Sequence, residues 1–307
     1  MRLSHSPYGV LVGALVLALA IFAAACDRGA PEGPAKDLAI ARDAYAAGYF
    51  LEAETAYERY LQSDPQGKYR QEAWTRLVDI NTAVKGDPAK AITLLETATL
   101  EYNSRPDANW PLLFRLGELY EQQGQRKKAM DAWGRCLDTA GSDAAKSVQA
   151  HMRMAVAGRA MGQRDMAIDL LTQAINQAKD PDLKARAQYE LAQTYGLAWD
   201  WPKARAILDE ILATEKAPAD TKIMSTYLLA EAYEAEKNLP KARELLLSLK
   251  DTYPNPEVIV SRLANLGKAD SGAATAKLQP GDVMPPEVND AQTPKARKMP
   301  GRVYEKP

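Results

Sequence analysis

The chain is predicted to be an all-α solenoid: a superhelix of about six helical hairpins closed by a C-terminal capping helix. Three observations predict it. Ala53, Ala91, Ala129, Ala167, Ala204 and Ala242 recur with gaps of 38, 38, 38, 37 and 38 residues. A period of that length marks a stack of repeats rather than one core. Apolar rows keep register with these alanines, and runs of alternating β-branched residues bounded by turns are missing.

Each repeat element follows from its row. Five residues before each alanine stands a turn residue: Gly48, Gly86, Gly124 and Gly162, then Trp199 and Lys237. Thirteen before it are Ile40, Val78, Leu116, Met154, Leu191 and Leu229. Four after it come Tyr57, Leu95, Trp133, Leu171, Leu208 and Leu246, and seven after it Tyr60, Ala98, Cys136, Ala174, Ile211 and Leu249. In the third repeat Leu113, Leu116, Gly117 and Tyr120 have i, i+3, i+4, i+7 spacing, and Ala129, Trp133, Cys136 and Leu137 continue it at i, i+4, i+7, i+8. Both are helical spacings. Each repeat is therefore expected to be two amphipathic helices joined by a short turn. Alanine suits the close crossing of the two helices, where a larger side chain pushes them apart. Each pair leaves an apolar face that the next pair covers. After the sixth repeat, Val258, Ile259, Leu263 and Leu266 are placed to cover the last such face.

These rows resemble the tetratricopeptide repeat. The third repeat supplies Gly117, Tyr120 and Ala129; the sixth supplies Ala230, Tyr233, Ala242 and Pro254; the first supplies Ala41, Ala53 and Pro65. The resemblance covers residues 35 to 256. Two departures stand out. The period exceeds the family's 34 residues by about one helical turn. The second repeat has Asp79 at the small position and Thr82 at the aromatic one, so its hairpin is expected to pack least well.

The resemblance implies a concave groove lined by the first helix of each hairpin. Its fifth position is Leu38, Arg76, Phe114, Met152, Tyr189 and Tyr227 here. Its ninth is Arg42, Ile80, Glu118, Val156, Gln193 and Glu231, and its twelfth is Tyr45, Ala83, Glu121, Arg159, Gly196 and Glu234. The candidate groove residues are Arg76, Phe114, Glu118, Met152, Arg159, Tyr189, Gln193, Tyr227 and Glu231. Phe114, Met152, Tyr189 and Tyr227 form a consecutive apolar and aromatic line, suited to a peptide or a partner helix. The same side chains equally suit packing between neighbouring repeats. Mixed charge argues against a clamp for a peptide carboxylate.

The ends are different material. Residues 1–25 carry Arg2, an apolar run from Tyr8 to Ala25, and Ala23, Ala24 and Ala25 before Cys26. That order describes a secretory signal. A cysteine directly after small residues resembles the bacterial lipobox, although Ala23 stands where leucine is preferred. The resemblance implies that Cys26 becomes the mature N-terminus and carries lipid. An uncleaved membrane anchor is the other reading, since eighteen apolar residues just span a bilayer. Either way the repeats are expected beyond the membrane, facing the periplasm. Asp27 resembles the retention signal of enteric bacteria, which implies the inner rather than the outer membrane. Residues 26–34 read as a lipidated cysteine and short tether, and residues 35–266 as the repeat domain. Residues 267–307 read as a disordered, proline-rich tail. Its last thirteen residues hold Lys295, Arg297, Lys298, Arg302 and Lys306 against Glu305 alone.

Composition narrows the function. The chain has 307 residues, 46% of them hydrophobic, and a formal net charge of −1. A strongly basic face for nucleic acid is not indicated. Its two histidines are His5 and His151, and its two cysteines Cys26 and Cys136. Cys136 falls in an apolar row and reads as a buried structural thiol. Phosphate loops, nucleophile elbows and paired metal ligands are missing. The expectation is a non-catalytic, membrane-anchored scaffold binding envelope proteins or peptides. It takes no cofactor beyond the covalent lipid, no small-molecule substrate and no nucleic acid. The alternatives are an outer-membrane β-barrel assembly lipoprotein and a component of a polysaccharide or pilus export machine.

Overall fold

The computed structural model describes residues 33–270. Cys26, Asp27, the expected signal and the tail beyond Asp270 lie outside the described residues. Thirteen α-helices run in order among the described residues: α1 Pro34–Ala47, α2 Phe50–Ser63, α3 Arg70–Asp79, α4 Pro88–Glu101, α5 Pro106–Gln122, α6 Arg126–Ala140, α7 Ala144–Ala160, α8 Arg164–Gln177, α9 Pro181–Leu197, α10 Trp201–Ala213, α11 Ala219–Ala235, α12 Leu239–Ser248 and α13 Pro256–Asp270. Consecutive helices pack as six hairpins, and α13 packs on α12. Strands are absent among the described residues, and no helix there is long and apolar enough to cross a membrane.

The six alanines are each fully buried, as a close helix crossing requires. The two apolar rows that follow them are buried in all six repeats. Trp133 fills more space than its counterparts, and Gly117 makes room for it: a Cβ there would lie 2.3 Å from the indole nitrogen. The indole N–H donates to the Phe114 carbonyl at 3.2 Å.

All six turn residues adopt positive φ: Gly48, Gly86, Gly124 and Gly162, and also Trp199 at 61° and Lys237 at 62°. Left-handed backbone closes the first helix and admits glycine without strain. The second helices then start on polar caps in several repeats. Asp87, Asp200 and Asn238 accept from the N–H groups of Lys90, Lys203 and Lys241.

The second hairpin departs locally. Helix α3 stops at Asp79 and continues as a π-helical segment, Ile80–Val84. Arg115 of the next repeat meets both polar positions, at 2.6 Å from Asp79 and 3.3 Å from the Thr82 hydroxyl. Asn81 is buried and donates to Glu54, itself bridged by Lys85 and Lys90. Val78, Ile80, Ala91 and Leu95 remain fully buried beside these groups.

The closing helix buries Ile259 and Leu266 against the sixth hairpin. It runs to Asp270, four residues past the expected end of the domain at Leu266.

Candidate partner-binding groove

Helices α5, α7, α9 and α11, the first helices of hairpins three to six, line a concave cavity of about 290 Å³. Phe114, Glu118, Met152 and Tyr189 of the expected set all face it. Gln149, Arg186 and Met224, which the fifth-position reading missed, line it as well. They lie three residues before Met152, Tyr189 and Tyr227, one helical turn up the same face. That spacing was available in the sequence as a further row. Leu183 and Thr221 extend the wall by one more turn.

The floor is held in place from below. Trp110 stacks on Phe114 with centroids 4.9 Å apart, and Arg153 lies 5.8 Å over the same ring. Arg153 pairs with Glu118 at 3.0 Å, which leaves the wall polar but balanced in charge. Tyr189 is 8% exposed, so only its edge reaches the cavity. Burial pushes its phenol above the usual tyrosine range, and its oxygen accepts from Gln193 at 3.0 Å.

The remaining candidates are engaged elsewhere. Tyr227, 2% exposed, stacks on Tyr253 with centroids 4.9 Å apart. Arg262 of α13 covers it, donating to its hydroxyl at 3.0 Å, to Glu231 at 2.6 Å and to Glu234 at 2.8 Å. The expected groove line therefore ends at Tyr189. Tyr227 and Glu231 belong to the seat of the closing helix, because the last repeat has no seventh hairpin to pack against. Burial holds the Glu231 carboxyl above its usual range despite Arg262.

Arg159 donates to the Glu190 carbonyl and the Thr194 hydroxyl, each at 3.0 Å, and to the Glu190 carboxylate at 2.8 Å. It also reaches Gln193 at 3.3 Å. Arg159 and Gln193 thus tie hairpin four to hairpin five rather than facing the cavity. Arg76 lies over the Tyr45 ring at 4.5 Å, in the second hairpin and away from the cavity. Similar arginine–carboxylate pairs, Arg42 with Glu72 and Arg115 with Asp79, join first helices of successive hairpins. Their partners are about one repeat apart in sequence and meet only when the hairpins stack.

Two other groups behave as core. The Cys136 thiol is fully buried, donates to the Trp110 carbonyl at 3.7 Å, and is pushed up to about 12 by burial. It is therefore a thiol rather than a reactive thiolate at neutral pH. His151 is buried beside Met152 but faces away from the cavity, and burial lowers its pKa.

Family models of the tetratricopeptide repeat match residues 112–140 and 225–256, and a second such model matches 150–185. No curated protein matches the chain by sequence. Among solved structures the chain is similar to the apo form of RapI, with a TM-score of 0.61 at 15% identity over 77% of this chain and 70% of that one. It is similar to BtubC from P. vanneervenii, with a TM-score of 0.50 at 16% identity over 84% and 98% of the two chains. A chain of the APC/C hetero-tetramer Cut9–Hcn1 gives 0.50 at 18% identity; the match covers 78% of this chain but only 43% of that one. At these identities the likeness is one of fold. The chain contains tetratricopeptide repeats in a superhelical solenoid, an architecture that generally serves as a non-catalytic scaffold for protein partners.

Proposed function

We propose that the chain is a membrane-tethered scaffold of a bacterial envelope that holds a protein segment in the concave cavity of hairpins three to six. The observation that carries the binding reading is the cavity itself. Four successive first helices line it, three of them from the fifth position and three from the position one turn earlier, so a long segment meets a continuous wall. The occupant places apolar side chains against Phe114, Met152, Val156 and Met224. The polar wall of Gln149, Arg153 and Glu118 supplies hydrogen bonds at the rim. Balanced charge favours a neutral or mixed segment over a strongly acidic one. The tether rests on the sequence reading of Cys26 as a lipid-bearing mature N-terminus, with Asp27 favouring the inner membrane.

Photo-crosslinking tests the groove. A crosslinking side chain at Gln149 or Met152, in the full chain in its own membrane, is expected to give one discrete protein adduct. The same group at exposed Thr172 on the convex side is the control. Equal adducts from both faces, or none from the groove, overturn the reading. Cys26→Ser tests the tether: the mature chain is expected in the soluble fraction or as unprocessed precursor.

A further inference from the structure

The edge formed by the hairpin turns carries a second surface, separate from the groove. Trp199 stands where four of the six repeats place glycine, with φ 61° and 61% of its surface exposed. A bulky side chain at left-handed φ is strained, and nothing in the packing requires it. Leu197 beside it is also exposed, and Trp201 meets the Trp199 ring edge to face at 6.2 Å. Trp201 is itself wedged against Gly196, where a Cβ would lie 2.9 Å from its ring. The pair thus props Trp199 outward. At the next turn Lys237 occupies the same strained position, with φ 62°, and is exposed.

Other turns along this edge share the character. Tyr49 and Leu51 at the first turn are 66% and 75% exposed. Arg126, Lys127 and Lys128 crowd the third turn, Arg164 the fourth, and Lys237 and Lys241 the sixth, all exposed. The acids on this edge are Glu52, Asp87, Glu121, Asp165, Asp200, Glu234 and Glu236. Five of these are engaged: Asp87 caps α4, Glu121 pairs with Arg126, Asp200 with Lys203, Glu234 with Arg262 and Glu236 with Arg205. The opposite edge, where hairpins join one another, is balanced in charge: Asp64, Asp107, Asp143, Asp180, Asp182 and Asp220 stand among Lys68, Arg105, Lys146, Lys179, Lys184, Lys216 and Lys222. Both edges hold the same kinds of helix terminus, so helix dipoles do not account for the basic excess at the turns.

We propose that the hairpin-turn edge around Trp199 and Lys237 docks on a bilayer surface rich in anionic lipid. The excess of basic over acidic side chains along the six turns, with Arg126, Lys127, Lys128 and Arg164 among them, selects an anionic partner. The shape selects a bilayer: the apolar groups protrude at turn tips rather than line a pocket. A soft interface accepts such tips, with tryptophan at headgroup depth and lysines reaching phosphates.

The test uses the full chain in vesicles of equimolar phosphatidylglycerol and brominated phosphatidylcholine, read by tryptophan fluorescence. The residues before Pro34 contain no tryptophan, so an inserted N-terminus adds no signal. The bromines are expected to quench wild type, and the quenched fraction should fall several-fold in Trp199→Gly. It should fall likewise in the double variant Lys237→Glu, Lys241→Glu, at high salt, and in vesicles lacking phosphatidylglycerol. Trp199→Gly should melt at or above the wild-type temperature, because glycine relieves the strained turn. Equal quenching in Trp199→Gly, no quenching in wild type, or indifference to anionic lipid each overturns the proposal. So does capture of an acidic protein by this edge without quenching. None of these outcomes bears on the groove, which lies on the concave face.

Discussion

Phe114 in hairpin three and Tyr227 in hairpin six hold the same place in their repeats. Phe114 stays half-buried at the cavity, propped by Trp110 and flanked by Arg153. Tyr227 is sealed by Tyr253 and Arg262. Equivalent sequence positions therefore become a cavity wall in the middle of the stack and a structural seat at its end. A solenoid must close its last apolar face, and here the closing helix uses the concave side to do so. Tyr189 lies between the two, with its edge open and its hydroxyl engaged.

The contrast predicts unequal costs. Tyr227→Ala should lose about 3–4 kcal/mol, as for buried aromatic truncations, whereas Phe114→Ala should lose about 1–2 and chiefly weaken partner capture. Denaturant unfolding of both variants checks this, and equal losses would show that Phe114 is also core. Arg262→Ala should cost about 2–3 kcal/mol, below the range for a fully buried pair because the site keeps some solvent. It leaves Glu231 and Glu234 without their cation, so Glu231→Gln, Glu234→Gln in the same background should recover part of the loss.

Gly117→Ala probes the middle hairpin from its core side. The added methyl collides with Trp133, and overpacking of this kind costs about 1–3 kcal/mol. Trp133→Leu in that background should relieve the collision, measured as a melting temperature above that of Gly117→Ala alone.

Acidification separates the regions further. Burial lowers the His151 pKa below its ordinary 6.5 in the folded chain. The unfolded chain then binds the proton first. Stability that is complete above the unfolded pKa is lost as pH falls from there through the folded value. Within that window one proton weakens wild type by at most about 1.4 kcal/mol for each step of one in pH. Denaturant unfolding across the window measures the slope, and His151→Leu should flatten it. The smallest effect is expected at the turns: Lys237→Gly should stabilise by about 1 kcal/mol and Gly124→Ala should destabilise by a similar amount. Thermal melts of the two variants, moving in opposite directions, would confirm that this row is set by left-handed backbone.

Much of the fold was legible because its causes are local. Helical spacing, a left-handed turn and a methyl at the crossing act within one repeat, and the 38-residue register of Ala53 to Ala129 repeats them. The row of Trp199 and Lys237 was readable too, although only the backbone exposed its strain. Half of the groove was legible for the same reason: Phe114, Met152 and Tyr189 follow one another at a single position. Gln149, Arg186 and Met224 repeat one turn earlier and were missed only as a row left unread.

Other assignments had no local cause. Arg159 turned to Glu190, and Arg262 closed over Tyr227 and Glu231, through partners about thirty residues away. A long charged side chain reaches either solvent, a ligand or the neighbouring helix, and its own repeat does not decide among them. The sequence by itself determined the period, the hairpins and the buried rows, because these depend on neighbours within one or two helical turns. Only the stacking of hairpins decided which part of the concave face stays open, because that depends on what the next element leaves uncovered.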